Sequence, residues 1–209
     1  MIEIAKASNL SVTAVLSNMN EPLGRAIGDS NEVAEAIETL KGTGPADVRE
    51  LTLVVGSEML ILAGVVRSTD EARDILKSKL DDGAGLRKLS EIIFAQGGAS
   101  GVVDDSSLLP FGKEKEIYYR EQEGYLSFKD VEYLGHAYLM LSLDESGEHR
   151  PGAGLNLLKK AGDKVSKKEG LIEIVHYGGD VDLAISYIDK SIEIVDEPMK
   201  EPLIYDIIH

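Results

Sequence analysis

SVTAVLSNMNEPLGRAIGDSNEVAEAIETLKGTGPADVRELTLVVGSEML, residues 11–60, changes its local pattern three times. The stretch from Ser11 to Met19 is β-branched and apolar, which predicts a strand buried on both faces. NEPLGRAIGDS, residues 20–30, is rich in turn formers and reads as a loop. In NEVAEAIETLKG, Val33, Ala36, Ile37 and Leu40 share one helical face, and Gly42 suits the end of that helix. Ser30 or Asn31 is the expected N-cap, with Glu32 and Glu35 in the first turns, where the helix dipole favours acids. Pro45 then fits the first turn of a second helix that is apolar nearly all round beyond Leu51, so burial is expected there.

Working outward, the opening MIEIAKAS reads as the tail of a helix. Downstream, Ser68–Glu71 opens a third helix with Thr69 as the expected cap. Gly83 and Gly85 break it, and LRKLSEIIFAQ forms a fourth. Up to Gln96 the chain is therefore one strand followed by helices. A lone buried strand must satisfy its backbone groups on neighbours, so its partners are expected in sequence N-terminal to this chain.

The character changes at GGASGVVDDSSLLP, residues 97–110, a Gly, Ser and Asp linker closed by Pro110. Beyond it KEIYYR, GYLSFK, AYLMLS, GLIEIVHY and SIEIVD lean to β structure, while EYLGHAYL and DVDLAISYID carry helical turns. Glycine turns are expected at Gly162–Lys164 and at Glu169–Gly170. This half reads as a compact, β-rich α+β module.

The 209 residues include 43% hydrophobic side chains, enough for a sizeable core, and no cysteine, which excludes disulfides and thiolate chemistry. No apolar run reaches membrane-spanning length, and the opening residues lack a basic segment followed by an apolar one, so a cytoplasmic protein without a membrane partner is expected. A net charge of -15 argues against nucleic acid, whose phosphates call for clustered Lys and Arg.

Four motifs in order resemble the pyrimidine-nucleoside phosphorylase and thymidine phosphorylase family. They are the Met19-Asn20-Glu21-Pro22-Leu23-Gly24 turn with its Glu-rich helix and Gly42–Asp47 connection, then AQGGASGVVDD, KKAGDKVSKKEGLIEI, and the closing EPLIYDIIH. The resemblance covers almost the whole chain. It implies that residues 1–103 are the last part of an α/β domain, one strand then helices, and that 104–209 are a C-terminal α+β module of barrel-sandwich type. It explains the absent partner strands and places Met1 where the relatives continue upstream.

The family splits pyrimidine nucleosides with phosphate, giving free base and (deoxy)ribose 1-phosphate. Its phosphate cradle and base-gripping Arg, Ser and Lys have no counterpart here. The resemblance therefore implies a chain inactive without an N-terminal half. It also implies part of a structural K+ site: the carbonyls of Leu23 and Ala26 and the carboxylate of Glu35. Neutral carbonyls with one carboxylate suit a hard monovalent ion, although Glu32 and Glu35 also read as solvated acids near a helix start. Met19, at the end of the predicted strand, is a candidate wall for the base pocket or a core residue. Asn18 and Asp29-Ser30-Asn31 depart from the family's usual Asp and Asn-Ala-Leu beside this loop.

Other readings compete. Gly97–Gly101 lacks a following Lys and reads as a hinge, not a phosphate loop. His136, His149, His176 and His209 show no paired zinc spacing, and Asp104–Asp105 reads as a solvated linker. A non-catalytic binding or structural module of the same descent is the alternative function. The AGDKVSKKEGLIEI stretch looks like the biotinyl and lipoyl carrier pattern but lacks a modifiable lysine tip.

Overall fold

A computed structural model describes residues 2–144, 146–178 and 180–209 of the chain. In order, the elements are α1 (Ile2–Ala7), β1 (Ala14–Ser17), β2 (Ala26–Ile27), α2 (Asp29–Leu40), α3 (Ala46–Leu62), α4 (Thr69–Asp81) and α5 (Ala84–Ala95). Two 3-10 turns, Ser100–Val103 and Ser106–Leu108, lead to β3 (Glu114–Tyr119), β4 (Gly124–Phe128) and α6 (Glu132–Ser142). Then come β5 (Gly154–Leu157), β6 (Lys164–Val165), β7 (Gly170–His176), α7 (Val181–Ser191), β8 (Ile192–Val195) and β9 (Ile204–Ile208). Helices and several small antiparallel sheets make the fold a mixed one, consistent with an α+β C-terminal module.

The chain forms two compact units that interleave along the sequence. One takes the residues up to Asn18, then Glu38–Gly98 and Glu201–His209; the other takes Met19–Ile37 and Ala99–Lys200.

In the first unit, β1 pairs antiparallel with β9, Ala14 opposite Ile208. This corrects the expectation of a strand buried on both faces: β1 is part-buried, Leu16 is exposed, and its partner comes from the far end of the chain. Helix α3 is corrected too. Among its described side chains only Leu53, Ser57 and Glu58 are buried, while Val55, Met59 and Leu62 stay exposed. Ser68, not Thr69, caps α4 by accepting from the Glu71 amide at 3.3 Å. Gly42 ends α2 with a left-handed φ of 86°, as a helix-terminating glycine should. The helix tail expected at the start is α1; Met1 lies outside the described residues.

The second unit is built on one apolar cluster. Leu126 of β4, Leu155 and Leu157 of β5, Val165 of β6, Ile172 and Ile174 of β7 and Ile192 of β8 meet Leu134 and Leu141 of α6 and Ile188 of α7. Two sheets contribute, ordered β2-β5-β7-β3 and β6-β4-β8. Strand β7 is central and buried on both faces; β3 is an edge strand carrying Glu114, Lys115 and Glu116, charges that discourage further pairing. Register is reinforced by a polar run. Asn31 Nδ2 donates to Asn156 Oδ1 (2.9 Å), Asn156 Nδ2 to Glu173 Oε2 (2.8 Å), and Lys115 Nζ to Glu173 Oε1 (3.1 Å).

AYLMLS, expected as a strand, belongs to α6, because Leu134, Ala137 and Leu141 recur at helical spacing and all are buried. The linker is folded as well: Val102 and Val103 are buried, and the Asp105 carboxylate caps the second 3-10 turn through the Ser107 amide at 3.0 Å. No helix among the described residues is long and apolar enough to cross a membrane.

Candidate functional site

The loop Met19–Gly28 and the start of α2 bring the candidate residues together. Within the expected loop, Ala26–Ile27 forms β2 against β5, with Ala26 opposite Asn156. Leu157 N donates to Arg25 O at 2.7 Å. In an antiparallel pair the next residue, Ala26, then turns its amide and carbonyl away from β5. Its amide accordingly donates to Glu35 Oε1 at 3.0 Å, and the Arg25 amide donates to the same oxygen at 2.8 Å. Glu35 lies in the second turn of α2, facing back over the loop. Met19 is 76% exposed, which rules out the core reading for its side chain.

Helix α2 does not start as expected. Its first residue is Asp29; Ser30 and Asn31 are buried inside the first turn instead of capping it. Tertiary contacts explain this: the Ser30 amide donates to Pro151 O (3.1 Å) and Asn31 reaches Asn156. Glu32 Oε1 reaches back four residues to accept from the Gly28 amide at 3.0 Å.

Two cations hold the loop. The Lys160 ammonium donates to the carbonyls of Pro22 and of Gly24, the latter at 2.8 Å, and lies 3.6 Å from the Glu21 carboxylate. Arg25 Nη1 donates to Leu157 O and Leu158 O, both at 3.0 Å. Neither role is legible in the sequence, where Lys160 is one of two adjacent lysines. Lys159 goes elsewhere, 2.6 Å from Glu169 Oε1.

Beside the loop, Asp29 accepts from Tyr138 Oη (2.9 Å) and from His149 Nε2 (2.7 Å). The His149 hydrogen bond holds the Asp29 carboxyl below its ordinary value. Burial, then the bond to Asp29, pushes Tyr138 up to about 12. No sequence signal joins this trio, because Asp29 of α2 lies more than a hundred residues from Tyr138 of α6 and His149 before β5.

An open cleft of about 980 Å³ lies along the end of α6, lined by Met140, Leu143, Asp144, Arg150, Tyr177 and Asp180 among others. Its one guanidinium, Arg150, is taken by Asp144 Oδ2 at 2.5 Å and by Glu148 Oε2 at 3.5 Å. Hydrogen bonds, first from the Ser146 hydroxyl, then from the Glu148 amide and the Arg150 guanidinium, hold Asp144 well below the usual carboxylate range. Among the histidines, His176 is buried at the end of β7 and accepts from the Gly178 amide at its Nδ1 (3.1 Å). No group of three or more His, Asp or Glu that would hold a metal occurs among the described residues.

The fold and this loop thus define an α+β chain that presents backbone carbonyls and a carboxylate at the edge of a small sheet. Two curated relatives, each called pyrimidine-nucleoside phosphorylase, come from Staphylococcus aureus strains bovine RF122 / ET3-1 and USA300. They are 38% and 37% identical to this chain over 211 residues, covering all of it and 49% of the relative. The chain spans about half the length of the curated relatives it matches, and that half is the C-terminal one. It is therefore homologous, along its entire length, to the C-terminal half of the pyrimidine-nucleoside phosphorylases. No family model matches the chain.

Proposed function

We propose that this chain is the C-terminal half of a pyrimidine-nucleoside phosphorylase and that it works only beside an N-terminal half. The observation that carries the reading is the match of the whole chain to one half of these enzymes. In the proposed reaction a phosphate oxygen forms a bond to C1′ of uridine or thymidine. The C1′–N1 bond breaks with its electron pair passing to the base, which leaves with a proton as (deoxy)ribose 1-phosphate forms. Such a step needs donors placed for the phosphate and for the departing base. The N-terminal half supplies them in this reading.

Exposed apolar side chains in the first unit support the need for a partner. Val55, Met59 and Leu62 of α3 lie at i, i+4 and i+7, one stripe of the helix, and Met59 is 65% exposed. Residues 1–103 are in this reading the end of the larger α/β domain, and 104–209 the C-terminal module. Met19, exposed at the loop, walls the base.

The residues present fit a monovalent cation in kind. Glu35 faces the loop whose Leu23 and Ala26 carbonyls would join it; once an N-terminal half supplies the remaining ligands, K+ bound there would neutralise charge and tie the loop to α2.

The test is phosphate-dependent release of uracil from uridine, first with the purified chain alone and then after adding the N-terminal half of the Staphylococcus aureus relative. The expected result is no release alone and turnover with the complement. Turnover by the chain alone overturns the proposal. Inactivity of a complex that does form favours a non-catalytic module.

A further inference from the structure

We propose that Lys160 is a tethered monovalent cation, its ammonium holding the Glu21–Ala26 loop by carbonyl oxygens so that the loop keeps its shape without a free ion. The side chain is only 16% exposed, and Glu21 opposite it is 19% exposed. An ammonium removed from water needs acceptors for its three N–H groups and a negative charge nearby. The loop provides both: the carbonyls of Pro22 and Gly24 accept, and the Glu21 carboxylate stands 3.6 Å away. Two or more neutral carbonyls with one carboxylate form the donor set that suits a free hard cation of single charge. Here the chain brings its own.

The tether is built to deliver the charge to one place. Lys160 starts a tight turn in which its amide donates to Asp163 Oδ2 (2.9 Å) and the Asp163 amide donates back to Lys160 O (3.0 Å). Gly162, at φ 80°, closes that turn, and its amide donates to Leu126 O of β4 at 2.9 Å. The backbone below the ammonium is thus pinned to the core sheet. On the loop side, the Gly24–Arg25 peptide is gripped at both ends, its carbonyl by Lys160 and its N–H by Glu35. One peptide unit therefore links the lysine to the helix carboxylate. Arg25, the other cation of the loop, is directed to the carbonyls of Leu157 and Leu158 and does not share these acceptors.

Every contact used lies within the second unit, and the inference does not rest on the phosphorylase reading.

The test is amide hydrogen exchange of residues 20–28 in the full chain, at constant ionic strength, in tetramethylammonium chloride, ammonium chloride or potassium chloride. The unaltered chain is expected to show the same protection in all three salts. Loss of its protection in tetramethylammonium overturns the proposal without any variant. In Lys160→Met, exchange in tetramethylammonium is expected to rise about tenfold or more, the scale of losing hydrogen bonds to a charged group. Ammonium or potassium, free to enter the vacated position, should restore protection. Unchanged exchange in the variant, or faster exchange that no small cation reverses, assigns Lys160 a packing role only and overturns the proposal.

Discussion

Arg25 and Lys160 clasp the same two segments in opposite directions: Arg25, on the loop, donates to the carbonyls of Leu157 and Leu158, while Lys160, beyond β5, donates to those of Pro22 and Gly24. Each removes one end of the same loop-to-strand attachment when lost. Arg25→Met and Lys160→Met are each expected to lower unfolding stability by about 1–2 kcal/mol, the range for hydrogen bonds to charged donors partly open to solvent. Their effects should not add, because once one anchor is gone the loop no longer presents the other's acceptors properly. The double variant is expected to fall short of the sum by about 0.5 kcal/mol or more in urea unfolding. Strict additivity would mean that the two cations anchor independent pieces of structure.

Gly28 is where α2 meets β2 and β5. Its φ is 123°, and a Cβ there would stand 2.6 Å from Ala153 O and 2.9 Å from Gly154 Cα. Backbone atoms cannot swing aside as a side chain does, so Gly28→Ala combines backbone strain with a collision. A loss of about 3 kcal/mol or more is expected. Gly42→Ala is the control: its φ is 86°, yet nothing lies within 4 Å of the added carbon. That variant should lose only about 1 kcal/mol, from backbone strain alone. Equal losses in thermal or urea unfolding would show that the close approach of Ala153 relaxes easily.

The Asp29, Tyr138 and His149 trio predicts a pH dependence at both ends of the scale. The folded Asp29 carboxyl titrates below its ordinary value of about 3.9 because His149 hydrogen-bonds its charged form. Its contribution is therefore fully present above about pH 4 and is lost as pH falls through the lower folded value. Tyr138 is raised to about 12 by burial and by Asp29, so its contribution is present below about pH 10 and disappears as pH rises through about 12. Both carboxylate and imidazole are about half exposed, so solvent screening keeps the acid-side effect below about 1 kcal/mol. Asp29→Asn is expected to flatten the stability profile between pH 4 and pH 2, read by urea unfolding. Alkaline absorbance titration should show a late tyrosine step that Tyr138→Phe removes. A step surviving in that variant would assign it to Tyr118, which burial and Asp189 also raise.

The helices were legible where sequence neighbours alone determine them. For α2 the helical period and the end at Gly42 were legible, but of the expected face only Ile37 is buried, while Val33 and Ala36 are exposed. The partner of β1 was not legible, because β9 lies almost the whole chain away and a run of β-branched residues does not say what pairs with it. For α6, the apolar run AYLMLS is too short to show its period without Leu134 ahead of it. At the site, the family resemblance singled out Glu35 but not the hydrogen bonds it accepts from the Arg25 and Ala26 amides, which only the fold of the loop brings to it. Lys160 carried no such signal. A lysine buried against carbonyls and one on the surface look alike in sequence, and only the Gly162–Asp163 turn and the fold of β5 onto β2 tell Lys160 from Lys159.

Met59 offers a way to separate folding of this chain from its proposed association. It is 65% exposed on the α3 stripe with Val55 and Leu62. A side chain already in water contributes little to the chain's own stability, so Met59→Lys should change unfolding by no more than about 0.5 kcal/mol. If the stripe is covered by an N-terminal half, the same substitution places a charge in an apolar contact and should weaken association at least about tenfold. The paired measurements are urea unfolding of the chain alone and titration of the N-terminal half against restored uracil release. Weak association with unchanged stability is the expected pattern. Full association with Met59→Lys would show that the partner leaves this face of α3 open, and that the exposed stripe is an ordinary surface of the first unit.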